Sequence, residues 1–144
     1  MIEQDTIYLL RECDAGIKMG VSSLEDVLPR TRSDSLRSLL SASKATHNEL
    51  KSDLQAALHR FGDTGKEPNI MAKGMSAFKT NIEMMVDPSD ATIADLITDG
   101  CNMGVKSLSK YLNQYAAADE SAKNVCKKLI HIEEKLAHDI RGYL

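Results

Sequence analysis

The sequence predicts an all-α protein, a bundle of four long helices arranged as two copies of one hairpin. Three observations predict it. Gly16-Ile17-Lys18-Met19-Gly20-Val21-Ser22-Ser23-Leu24 returns as Gly100-Cys101-Asn102-Met103-Gly104-Val105-Lys106-Ser107-Leu108, 84 residues on, with six of nine positions identical. Each copy precedes a second long segment whose apolar residues recur at three- and four-residue steps, the period of a helix that buries one face. Aromatic residues make up only 4% of the chain and Trp is absent, so the core is aliphatic, which favours helices over the aromatic and β-branched strands of a sandwich or barrel. At 144 residues the chain is long enough to bury one core, and a single domain over 1–144 is expected.

The first helix is read from about Asp5 to Leu28, on the stripe Leu10, Cys13, Ile17, Val21, Leu24 and Leu28, and Pro29 ends it. The second starts near Ser33 or Asp34, residues whose side-chain oxygens cap helix N-termini, and carries Leu36, Leu40, Ser43, His47, Leu50, Leu54, Leu58 and Phe61. Gly62 is placed to stop it, so hairpin 1 covers about 5–62. The run Gly62-Asp-Thr-Gly-Lys-Glu-Pro-Asn69 has the composition of a surface connection. A shorter helix, about 70–86, follows with Met71, Met75, Phe78, Ile82 and Met85 at helical spacing, and has no counterpart in the repeat. Asp87-Pro88-Ser89 restarts the chain for hairpin 2, about 89–144. Its first helix carries Ala94, Ile97, Cys101, Val105, Leu108 and Leu112, and its second Ala122, Cys126, Leu129, Glu133, Leu136 and Ile140. Gly16, Gly20, Gly100 and Gly104 fall inside helices, where each costs roughly 1 kcal/mol relative to alanine. Close approach of the two related helices is the expected compensation, with a ligand pressed against bare backbone as the alternative.

Charge and composition exclude several classes. A net charge of -3 lacks the concentrated positive field that nucleic acid needs, and the strip Lys123, Lys127, Lys128 reads as a solvated helix face. No apolar run approaches the roughly 20 residues of a membrane span, so no membrane partner is expected. Met1 to Thr6 are polar and acidic, unlike a secretory leader, and a cytoplasmic protein is expected. Cys13, Cys101 and Cys126 sit on apolar faces as reduced core thiols do, without the close Cys/His pairs of a zinc site.

Phasing the second helices of the two hairpins by their apolar stripes offsets them by 86 and makes His47 equivalent to Glu133, both facing inward. Folding each hairpin about its turn brings Asp14 level with His47 and Thr98 level with Glu133, so one mid-bundle layer is expected to hold all four. A buried carboxylate needs a partner. His47 is that partner, either as imidazolium to Glu133 or Asp14 or as a metal ligand. His131, Glu134 and His138 lie on the face opposite Leu129, Leu136 and Ile140 and are read as solvated; His59 is read as surface. There is no Gly-rich phosphate loop after a strand and no nucleophile with a base in recognisable context.

The hairpin repeated around a long connection, through Leu10-Arg-Glu-Cys-Asp-Ala-Gly16 and Leu96-Ile-Thr-Asp-Gly100, resembles the ferritin-like four-helix bundles, in particular an uncharacterised bacterial family of that fold. The resemblance implies a ferritin-like up-down bundle with one extra short helix in the central connection. Metal-loaded members carry an inward Glu on two helices and Glu-x-x-His on the other two. Here Lys44 precedes His47 by three residues, Leu136 follows Glu133 by three, and the inward positions of the other helices offer Asp14, Ile17, Thr98 and Cys101. The resemblance therefore implies the fold and weakens di-iron chemistry. The expected function is that of a non-enzymatic interaction or structural protein, without cofactor, pairing as a homodimer through helix faces. Its Met-rich helix 70–86 either caps its own bundle or meets a protein partner. The competing expectation is a metalloprotein holding iron or manganese at Asp14, His47 and Glu133.

Overall fold

A computed structural model describes residues 2–63, 65 and 88–144. The expected short helix at 70–86, with its Met-rich face, lies outside the described residues. Within them the protein is all-helical: α1 spans Ile2–Val27, α2 Asp34–Arg60, α3 Asp90–Gln114 and α4 Glu120–Asp139. Short 3-10 turns follow α1 at Leu28–Arg30 and α4 at Arg141–Tyr143.

Local chemistry fixes the ends. The Ser33 hydroxyl accepts from Leu36 N at 3.2 Å, Ser89 from Thr92 N at 3.1 Å, and the Asp119 carboxylate from Ala122 N at 2.8 Å. Each satisfies an amide that has no partner in the first turn of its helix. Gly62 takes a left-handed conformation, φ 69°, at the end of α2, where a side chain would be strained. Pro29 does end α1, but from inside the Leu28–Arg30 turn, where its missing N–H costs nothing.

Contacts between chain-distant residues set the helix directions. At one end Asp5 accepts from Ala117 N at 3.1 Å and Thr6 Oγ1 from Asp119 N at 2.9 Å, so α1 and α4 begin together. At the other end the Asp90 carboxylate accepts from Arg32 N and Ser33 N at 2.9 and 2.8 Å, and Ser35 meets Tyr143 at 2.6 Å. There α2 and α3 begin. Along the chain the directions run up, down, down, up, because α2 ends and α3 begins at opposite ends of the bundle. α1 packs against all three other helices and α4 against α2 and α3, which leaves α2 and α3 at opposite corners.

The buried side chains form two groups rather than one. Leu9, Leu10, Cys13, Ile17, Leu54, Leu58, Cys126 and Leu129 belong to the first, and Leu24, Leu36, Leu40, Ile93, Ile97 and Ile140 to the second. Full burial of each leucine or isoleucine stabilises the bundle by about 1.5–3 kcal/mol. On every helix the division falls at a polar or glycine position: at Ser22 and Ser23 on α1, at His47 on α2, at Gly104 on α3 and at Glu133 on α4.

Candidate functional site

This seam is the candidate site. His47 is 1% exposed and Glu133 9%; His47 shares its inward stripe with Leu40 and Leu50, and Glu133 with Leu129 and Leu136. Nε2–H of His47 donates to Oε1 of Glu133 at 2.6 Å, and Nδ1–H donates to the Ser43 carbonyl at 2.7 Å. A carbonyl only accepts, so Nδ1 carries a proton. Burial pulls the His47 pKa down, but the hydrogen bond and charge of Glu133, with the Ser43 carbonyl, outweigh it and leave the pKa above its ordinary value. Both ring nitrogens are therefore in use.

Glycines complete the layer. A Cβ on Gly20 would stand 3.1 Å from the His47 ring, and one on Gly104 would stand 3.7 Å from Oε2 of Glu133. Gly20 makes room for the His47 ring across the bundle, whereas a Cβ on Gly104 would meet Glu133 at an ordinary contact distance. The nearest neighbours of both glycines are side chains, not the backbone of the other glycine-bearing helix, so the expected close helix approach is not their role. Cys101 adjoins the layer, its thiol pushed up by burial and by the hydrogen bond and charge of Glu133, and stays protonated.

Asp14 and Thr98 lie elsewhere. Asp14 is fully buried, accepting from Gln55 Nε2 at 2.6 Å and pairing with Lys18 at 2.8 Å. Gly65, at φ 95°, presses on the same carboxylate so closely that a Cβ there would collide with it. The Thr98 hydroxyl donates to Ala94 O of its own helix at 2.7 Å. The expected level of Asp14 with His47 is thus corrected: Gln55 stands level with Asp14, and His47 with Gly20. The Leu28–Arg30 turn and extended Thr31 and Ser33 carry the chain past the end of α1 before α2 starts. That shifts α2 by six to eight residues against α1, roughly 9–12 Å at the helical rise. The contact between Lys44 and Glu25 at 3.4 Å follows the same register.

Of the three candidate metal ligands, then, the fold brings His47 and Glu133 together and places Asp14 in a separate ion pair. Among the described residues no group of three or more His, Cys, Asp or Glu is placed to hold a metal ion. His59, His131, Glu134 and His138 are exposed. All three cysteines are free and buried. Cys13 and Cys126 lie against each other, and their interaction raises the Cys13 pKa and lowers that of Cys126, while the Cys126 thiol donates to Leu108 O at 3.7 Å. That contact between thiols had no signal in the sequence beyond two apolar-stripe positions. No described helix is long and apolar enough to cross a membrane. Compared with known proteins, the chain matches no family model, no curated sequence and no solved structure.

Proposed function

We propose that this chain is a non-enzymatic, ferritin-like bundle of two repeated hairpins that works in the cytoplasm by association through its surfaces, as a homodimer, and has no di-metal centre. The observation that supports this most is the closure of the central layer on itself. Where a di-metal bundle places four carboxylates and two histidines, the layer here consists of Gly20, His47, Gly104 and Glu133. Two of the four positions carry no side chain, and the histidine spends one nitrogen on Ser43 and the other on Glu133. A buried polar pair of this kind serves to fix helix register. The exposed Met103 gives the α3 face an adaptable apolar contact.

The competing reading, iron or manganese at Glu133 and His47, makes a different prediction for one experiment. Protein purified without chelator is subjected to elemental analysis and then to thermal unfolding with Fe(II), Mn(II) and Zn(II). The expected result is no stoichiometric metal and no rise in melting temperature. A stoichiometric metal, or a rise that His47→Ala abolishes, would replace this reading with the metal-binding one.

A further inference from the structure

Gly20 is accounted for by the His47 ring, which a Cβ there would crowd; Gly16 and Gly100 have no such neighbour. A Cβ on Gly16 would meet Leu129 and Leu108 at 3.7 and 3.9 Å, ordinary contact distances, and a Cβ on Gly100 would meet nothing within 4 Å. Alanine would fit at both positions and would favour the helix. What the missing side chains leave is a cavity of about 60 Å³ between α1 and α3. Met19, Ile97 and Leu136 form part of its apolar wall, and Glu133 also lines it. Exposed Gly100 makes it reachable from solvent.

Two features define what fits. A cavity of about 60 Å³ exceeds what one water needs and limits an occupant to a short chain. Most of the lining is apolar, and its polar part is confined to Ser23, His47, Cys101 and Glu133. Glu133 does retain acceptor capacity: a carboxylate has about four acceptor positions, of which His47 takes one on Oε1. Oε2 is the oxygen on the Gly104 side.

We propose that this cleft is a binding site for a small aliphatic molecule with a single hydrogen-bond donor, of the short-chain alcohol class. Its hydrocarbon lies against the bare backbone of Gly16 and Gly100, and its hydroxyl donates to Oε2 of Glu133. The backbone N–H and C=O groups of both helices are already paired within the helices, so they do not repel an aliphatic chain laid along them. The proposal rests on the preceding reading in one respect, that Glu133 is held by His47 and not by a metal.

The test is a titration of the isotope-labelled full chain with 1-propanol, followed through its amide resonances, beside its isomer methoxyethane, which has no donor. Saturable shifts are expected at Gly16, Gly100, Cys101 and Gly104 with 1-propanol, and binding at least tenfold weaker for the ether. Gly100→Leu fills the mouth of the cleft where a side chain meets no obstacle, and is expected to abolish saturation while the protein melts at the same temperature or higher. Linear, unsaturable drift with both compounds, or saturation that survives Gly100→Leu, would overturn the site. Equal binding of the two isomers would overturn the role given to Glu133. Elemental analysis of the same sample reads the metal question separately, so failure of this proposal and failure of the preceding one are told apart.

Discussion

Replacing Glu133 by leucine isolates the energetics of the seam. The change removes the acceptor of His47 Nε2 and leaves a ring that is 1% exposed with one nitrogen unpaired. A charged orphan would cost more, but an imidazole sheds its proton, so the penalty is that of a neutral buried polar group, about 2 kcal/mol. For a chain of this length that lowers the melting temperature by roughly 4–8 °C. The pH dependence carries the sharper signature. In the native protein the His47 pKa is raised, so its contribution to stability is complete below the ordinary value of 6.5 and is lost as pH rises through the folded value. In Glu133→Leu the two influences of Glu133 disappear, burial dominates, and the folded pKa drops below the unfolded one. Stability is then lost as pH falls through the ordinary histidine range. The destabilisation, measured by urea unfolding at pH 5.5 and pH 9, is therefore expected to be larger at the acidic pH. His47→Leu combined with Glu133→Leu removes both partners and is expected to restore or exceed native stability. A destabilisation by Glu133→Leu that is below 0.5 kcal/mol, or independent of pH, would refute the argument.

The glycines divide into two kinds by substitution. Gly100→Ala is expected to stabilise by up to about 1 kcal/mol, since its Cβ meets nothing and the helix gains, whereas Gly20→Ala crowds the His47 ring at 3.1 Å and gains less or loses; thermal melts of the two variants decide. Ser33→Ala and Ser89→Ala each remove an N-cap and are expected to cost about 1 kcal/mol in denaturant unfolding. Burial of all three thiols, with Cys13 and Cys101 pushed up, predicts negligible reaction of the native protein with a thiol reagent such as Ellman's and reaction of every cysteine once it is unfolded. Gly65→Ala is expected to destabilise, because a side chain there collides with the Asp14 carboxylate and must also hold a left-handed backbone, and a lowered urea midpoint would register both effects.

What could be read along the chain was read well where the physics is local. Ser33, Ser89 and Gly62 mark helix ends because a cap or a left-handed residue acts within one turn of its own position. The inward orientation of His47 and Glu133 followed from their place on apolar stripes, and their buried contact from the rule that a buried charge is partnered. The level of Asp14 was out of reach. It depends on how far the chain travels through Leu28–Ser33 before α2 starts, which the apolar period does not encode. The role of Gly20 depends on which neighbour its helix turns toward, and a stripe fixes the buried face without naming the side chain opposite. The contact of Cys13 with Cys126 joins α1 to α4, the first helix to the last, and exists only once four helices are packed.

The polar seam also bears on how this molecule tolerates change. Leu9 belongs to one buried group and Ile140 to the other, so altering one disturbs no packing neighbour of the other, and separated sites of this kind act nearly additively. Each end of the bundle can then be re-sorted in sequence without reference to its opposite end. At His47 and Glu133, between the two groups, a change on one helix must be answered by a change on the other.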